Sequence, residues 1–266
     1  MNIHSEDRLQ KSPEAPGTER TMNVLEAVGG APDGISASAI ARQAGLSANA
    51  AHRITRTLES LGYLKRDPVC KQYSLSSRLL QIASPRIGGV DLVECANQPM
   101  RALRDETGET VLLNVLSGRH QVLIHQLSAL VAPRITWDIG AQIELYSNAP
   151  GKVLLAFSRP DAQRELLAGQ SFKGFTSHTI TSRAALKREL EEVFRNGFAL
   201  DRGELTEGIQ CVAAPVFSAE DQLVASVCLS GPVFRVNADA VPGLALKTAA
   251  CAEAIGVCLG RKKSNQ

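Results

Sequence analysis

Ser47-Ala48-Asn49-Ala50-Ala51-His52-Arg53-Ile54-Thr55-Arg56-Thr57-Leu58-Glu59-Ser60-Leu61 is the stretch whose reading decides the fold of this chain. Ser47 is an N-cap signal, since its hydroxyl can accept from the orphan amides of a first helical turn. Behind it Ala51, Ile54, Leu58 and Leu61 recur at intervals of three and four, which defines one buried stripe. Asn49, His52, Arg53 and Arg56 fall largely outside that stripe. Upstream, Ser38 reads as the N-cap of a helix carrying Ile40, Ala41 and Ala44, which Gly45 breaks. Earlier still, Met22, Leu25 and Val28 mark a helix ended by Gly29-Gly30. A helix, a tight turn at Ala44-Gly45-Leu46 and a helix with an Asn/His/Arg outer face form the pattern of a helix-turn-helix, whose second helix enters the major groove. The residue types suit such a helix, because Arg bonds guanine edges bidentately, Asn bonds adenine, and further Arg and Lys hold phosphates.

After Gly62, Tyr63-Leu64-Lys65-Arg66, a turn at Asp67-Pro68-Val69, and Cys70-Lys71-Gln72-Tyr73-Ser74-Leu75 read as a β-hairpin with Lys65, Arg66 and Lys71 near its tip, a wing. The whole chain carries a net charge of only +2, yet residues 36–78 carry +5. An isolated pair such as Arg53 and Arg56 ordinarily just solvates a helix face; capped helices, a glycine turn, local charge and a basic hairpin agreeing with one another point to double-stranded DNA. RNA is disfavoured because exposed aromatic platforms for unpaired bases are missing.

The 266 residues are 44% hydrophobic and 21% charged, which excludes disordered and collagen-like classes. The first 19 residues, polar and interrupted by Pro13, Pro16 and Gly17, are expected to form a disordered leader. No run approaches about 18 consecutive apolar residues, and the N-terminus lacks a signal-peptide core, so a soluble cytoplasmic protein with no membrane partner is expected. Cys70, Cys95, Cys211, Cys228, Cys251 and Cys258 show neither a C-x-x-C pair nor zinc-finger spacing, so reduced thiols, no metal and no cofactor are expected.

Ser76 to Ser84, with Leu79, Leu80 and Ile82, reads as a short amphipathic helix stopped by Pro85, and Gly88-Gly89 follows. The domains are therefore drawn as 20–75 for the DNA-binding module, 76–89 for a linker helix and 90–262 for a second domain. That domain opens with a helix over Val90 to Thr107, interrupted or restarted at Pro99. A hairpin of Val111–Leu116 and Val122–Leu127 around Ser117-Gly118-Arg119-His120 comes next. Helical patterns then cover Ala149–Phe157, Pro160–Leu167 and Ser182–Asn196, strands Phe198–Asp201, Gln210–Phe217 and Gln222–Leu229, and a closing helix Asp239 to Leu259. Hairpin-length connections imply an α+β fold, an antiparallel sheet flanked by helices.

Four motifs in this second domain resemble those of the IclR-type transcriptional regulators, and the likeness runs from Arg20 to Gly260. Ala149-Pro150-Gly151-Lys152-Val153-Leu154-Leu155-Ala156 resembles the family's A-x-G-K-x-L-L-A element, and Gly197-Phe198-Ala199-Leu200-Asp201 its G-Y/F-x-x-D segment. Glu204 followed by Glu207-Gly208-Ile209-Gln210-Cys211-Val212-Ala213-Ala214-Pro215-Val216 is similar to its E-G-x-x-C-I/V-A-A-P-V run, and Cys228-Leu229-Ser230-Gly231-Pro232 to its S-x-S-G-P. The resemblance implies a winged helix-turn-helix domain, a linker helix and a GAF-like effector-binding domain. It further implies a small-molecule effector, often a carboxylate, and homodimers or dimers of dimers (homotetramers) on operator DNA. It assigns the effector pocket to residues matching the Ala149-Pro150-Gly151 loop, Asp201, Cys211, Cys228 and Ser230. Two departures follow: Pro150 has no N–H for an anion, and the Cys228 thiol is a weaker donor than the usual serine. Together they imply a less polar effector than glyoxylate or pyruvate.

The residues themselves leave alternatives open. Cys228 and Ser230, two apart on a strand, share a face that is either a cavity wall or small-residue core. Cys211 either touches ligand or simply packs. Asp201 either accepts from a ligand hydroxyl or caps the turn at Arg202-Gly203. Lys152 fails as a phosphate-loop lysine, because G-x-x-x-x-G-K-S/T needs glycine at Tyr146 and Ser or Thr at Val153. A cysteine-dependent hydrolase using Cys211 with His125 or His178 lacks an activating neighbour in the sequence. A DNA-binding protein without an effector would leave the patterned second domain without a role. The reading is a ligand-responsive transcriptional regulator, not an enzyme.

Overall fold

The computed structural model describes residues 15–83 and 86–262, which fall into two compact units divided between residues 84 and 85. The division lies inside the span 76–89 expected as a linker.

The first unit packs α1 (Pro16–Gly29), α2 (Ala37–Gln43) and α3 (Ala48–Ser60) against the antiparallel hairpin β1 (Leu64–Arg66) and β2 (Tyr73–Leu75), and ends in α4 (Ser77–Ala83). Its core gathers Val24, Val28, Ile35, Ile40, Leu58, Leu64 and Tyr73. Four details correct the sequence reading. Pro16 to Glu19, placed in the leader, are the first turn of α1, because proline's fixed φ suits a helix start; residues 1–14 of that leader lie outside the described residues. Val24, not Met22, carries the buried stripe of α1, and Met22 is exposed. The cap of α2 is Ser36, whose Oγ accepts from the Ala39 amide at 3.3 Å, while Ser38 sits inside the helix. In α3 the inner stripe is Ala51, Thr55 and Leu58, and Leu61, at the C-cap, is exposed. Gly45, at φ +64, makes the turn between α2 and α3 in a left-handed conformation that L side chains rarely adopt.

The second unit is built on a six-stranded antiparallel sheet in the order β7-β6-β5-β10-β9-β8. In chain order it comprises the short hairpin β3 (Arg86–Ile87) and β4 (Val90–Asp91), α5 (Leu92–Thr107), β5 (Thr110–Ser117), β6 (His120–Leu127) and β7 (Gln142–Ile143). There follow α6 (Ala149–Ala156), α7 (Pro160–Leu166), α8 (Arg183–Asn196), β8 (Ala199–Arg202), β9 (Ile209–Phe217), β10 (Leu223–Pro232) and α9 (Val241–Cys258). The β3–β4 hairpin turns at Gly88-Gly89, read from sequence as linker, and α5 runs unbroken through Pro99. Strand alternation splits the core in two. Val111, Leu113, Val227 and Leu229 face α5 and α9; Leu112, Ala213 and Cys228 face α6 and α8.

By length and composition α9 could cross a membrane, but Ala245, Thr248, Cys251, Ala252, Ile255 and Gly256 are buried where it packs on β9 and α5. The expectation of six reduced thiols is corrected: Cys95 of α5 and Cys258 of α9 form a disulfide across 163 residues, a pairing made possible by the side-by-side packing of those helices. Cys70, Cys211, Cys228 and Cys251 are free.

Candidate functional site

In the first unit Asn49, His52, Arg53 and Arg56 are all exposed on α3. Ser47 caps the helix, its Oγ accepting from the Ala50 amide at 3.3 Å and satisfying one of the first-turn amides. Arg20 of α1, outside the basic window read from sequence, lines a groove with Arg53. On the wing Lys65, Arg66 and Lys71 are exposed. Asp67 tightens the wing tip by accepting from the Val69 and Cys70 amides at 2.7 and 2.8 Å, and these bonds hold its carboxyl below the usual range. Arg66 lies over the Tyr73 ring at 5.6 Å, and Lys71 Nζ donates to the Pro68 carbonyl at 2.5 Å.

In the second unit a cavity of about 20 Å³ lies between α6 and the sheet. Pro150, Asp201, Cys211 and Cys228 border it. Ser230 stands next to them: the Cys211 thiol donates to Ser230 Oγ at 3.3 Å. Ala149 and Gly151 are buried in the first turn of α6 outside that lining. Gly151 is there for space, since a Cβ would stand 2.3 Å from the Leu145 carbonyl oxygen. The turn is held by Asn148, whose Oδ1 accepts from the Gly151 amide at 2.8 Å.

Register explains why these residues meet. On β10, Ser226, Cys228 and Ser230 point to the α6 side, and Ser230 stands opposite Cys211, which stands opposite Asp201. Small side chains on that face leave room between sheet and helix. Asp201 Oδ1 accepts from the Glu204 amide at 2.6 Å. Burial pushes the Asp201 carboxyl up to about 7, with the nearby Glu204 charge acting in the same direction against the Glu204 amide and Lys152. Burial likewise pushes the Cys228 thiol up, aided by Cys211. Lys152 is fully buried and satisfied by Glu204 at 2.7 Å and Glu189 at 2.9 Å, so it is an internal ion pair behind the cavity.

Sequence reasoning missed Asn114, Gln121 and Trp137, which also border the cavity. The legible signal was Asn114, a polar residue inside the apolar run Val111-Leu112-Leu113-Asn114-Val115-Leu116. Among the described residues no histidine lines the cavity; His178 is exposed, and burial lowers the pKa of His125. Among the same residues no cluster of three or more His, Cys, Asp or Glu is placed to hold a metal ion. A larger groove of about 720 Å³ along α7 and α8 holds none of the expected residues.

Fold and site together define a two-unit protein with a winged helix-turn-helix and an α+β domain that carries a small cavity beside α6. The family model for the IclR helix-turn-helix domain matches residues 17–68, and that for the bacterial transcriptional regulator IclR C-terminal domain matches residues 86–257. The chain belongs to the IclR family of transcriptional regulators, DNA-binding proteins rather than enzymes. It is 31% identical over 230 residues to the HTH-type transcriptional regulator KdgR of Escherichia coli K12, covering 86% of this chain and 87% of that one. The crystal structure of the Thermotoga maritima IclR is similar at a TM-score of 0.76 and 28% identity, over 91% of this chain and 98% of that one. An IclR homologue from Microbacterium hydrocarbonoxydans, complexed with 4-hydroxybenzoate, shares the fold at a TM-score of 0.77 and 24% identity, covering 92% and 99% of the two chains.

Proposed function

We propose that this regulator binds operator DNA under the control of a small carboxylate with an apolar or hydroxylated body. The observation that carries the effector half is the cavity bordered by Pro150, Asp201, Cys211 and Cys228 with largely apolar walls. In this reading Pro150, Asp201, Cys211, Cys228 and Ser230 form the effector site, and Ala149 and Gly151 shape the helix turn that carries Pro150 to it. With its carboxyl raised to about 7, Asp201 is partly protonated at neutral pH and in that form can donate to a carboxylate. Lys152, held by Glu189 and Glu204, is not available as the counter-ion. In the DNA-binding half, Asn49, His52, Arg53 and Arg56 read bases; the capped α3 N-terminus at Ser47, with Lys65, Arg66 and Lys71, holds phosphates. The protein acts in the cytoplasm as a homodimer or a dimer of dimers.

Linkage supplies the test. The operator affinity of the parent is expected to shift roughly 5- to 150-fold on addition of the effector, equivalent to about 1–3 kcal/mol of coupling, and operator must shift effector affinity by the same factor. Calorimetry against a panel of small acids, then operator titrations with the acid that binds, measures both. Asp201→Ala, Cys211→Ala and Ser230→Ala should keep effector-free operator binding and lose the response. Variants that bind the acid as the parent does, or that lose DNA outright, would show these residues to be structural.

A further inference from the structure

The far wall of the same cavity carries polar groups that the effector reading leaves unused. Asn114 of β5 and Gln121 of β6 are only 1% and 2% exposed. Gln121 Nε2 donates to Asn114 Oδ1 at 2.9 Å, while Asn114 Nδ2 and Gln121 Oε1 have no partner. Turning both amides over exchanges the two roles and still leaves one N–H donor and one carbonyl acceptor open. The buried Trp137 Nε1 is also unpartnered, although the Trp137 backbone N–H is held by Gln126 Oε1 at 2.8 Å. Buried amides are normally satisfied, and leaving them open costs stability. Asn114, Gln121 and Trp137 all border one cavity, and among the described residues no Lys, Arg or His lines it. Such a wall complements a neutral group that both donates and accepts.

Strand register sets how far this wall lies from Asp201. On β10, Ser230 is opposite Cys211, itself opposite Asp201, whereas Ser226 is opposite Asn114. The two rows are four residues apart, about 13 Å along the strand. The side chains of both rows reach into the one cavity, so an acid that touches both spans the distance left between their tips. We infer that the cavity takes an elongated acid whose far end carries a neutral hydroxyl, read by the Asn114–Gln121 amide pair and the Trp137 indole N–H. The inference rests on the effector site proposed above and adds the chemistry of the ligand's distal group. A cavity of about 20 Å³ holds roughly one water, so the occupant enters by displacing part of the wall.

Trp137 is the only tryptophan of the chain, so its fluorescence reports the site directly. The experiment titrates the full chain with two acid pairs that differ only in the distal hydroxyl: 4-hydroxybenzoate against benzoate, and 6-hydroxyhexanoate against hexanoate. At least one hydroxylated acid should bind about tenfold or more tighter than its partner, because a site built around a hydroxyl rejects the analogue lacking it. Asn114→Leu and Gln121→Leu should bring the affinity ratio within each pair to about one, while operator binding without acid stays as in the parent. Trp137→Phe, which keeps a ring and removes the N–H, should reduce the preference in calorimetry and serves where a leucine variant fails to fold. Equal affinities within both pairs, binding of none of the four acids, or an undiminished preference in every folded variant would each overturn the assignment. The regulatory reading is judged separately, by the operator shift with whichever small acid binds.

Discussion

Asp201 links the protonation of one buried carboxyl to the stability of the domain around the cavity. Its folded-state pKa of about 7 stands above the ordinary value of 3.8, so the folded protein retains a proton that the unfolded chain releases. The stabilisation is complete below pH 3.8, is lost as pH rises towards 7, and is gone above it. The slope in that window is at most about 1.4 kcal/mol per pH unit. Asp201→Asn keeps an Oδ1 acceptor for the Glu204 amide and removes the titration. Thermal unfolding from about pH 5 to about pH 8 should show the variant gaining on the parent up to about pH 7 and then running parallel; parallel curves throughout would place the Asp201 proton elsewhere. On α3, Arg53→Ala and Arg56→Ala should each cost on the order of 1–3 kcal/mol per half-site and relax base preference. Lys65→Ala should instead weaken all sequences alike and lower the salt slope by about one. Equal losses on operator and random DNA for all three would remove base readout from α3.

The first turn of α6 is the element on which the cavity depends. Asn148 caps it, Pro150 starts it with a preset φ, and Gly151 lets its backbone lie against Leu145. Gly151→Ala puts a methyl 2.3 Å from the Leu145 carbonyl oxygen, so main chain must move rather than a flexible side-chain end. Overpacking of this kind costs about 1–3 kcal/mol. Urea unfolding of the variant should show a lower midpoint with an unchanged slope; an unshifted midpoint would mean that the two segments separate freely. The same element shows the reach of sequence periodicity. The helical pattern over Ala149–Phe157 is legible in the sequence, but the Asn148 cap and the contact with Leu145 are matters of local backbone approach, to which no periodicity corresponds.

One helix-turn-helix with its wing covers a single half-site, and two-fold assemblies reading two half-sites are the usual route to tight specific binding. Sedimentation of the full chain at micromolar concentration should therefore show a dimer or tetramer, and a protein that stays monomeric with full operator affinity would contradict it. The second unit is organised by what its sheet separates: α5 and α9 seal one face around Met100, Val227 and Leu229, while the other face, with Cys211, Cys228 and Asp201, leaves the cavity beneath α6.

Local spacing alone determined a good deal of this protein. Intervals of three and four placed α3 with its Asn/His/Arg face outward, two apolar runs about the Ser117–His120 turn placed the β5–β6 hairpin, and a period of two put Cys228 and Ser230 on one side of β10. These features depend on residues within a few positions of one another, where backbone geometry dictates the outcome. Finer choices inside them went to packing: Thr55 is buried and Leu61 exposed because the neighbouring elements, not the helix, decide which side is covered. The two-residue strands β3, β4 and β7 are too short to carry a pattern. Only the tertiary structure put Asn114 against Gln121, brought the cavity wall to Trp137, set Cys211 opposite both Ser230 and Asp201, and joined Cys95 to Cys258. Each of these depends on strand register and layer packing between segments far apart in the chain, and a single sequence carries no spacing that encodes such a meeting.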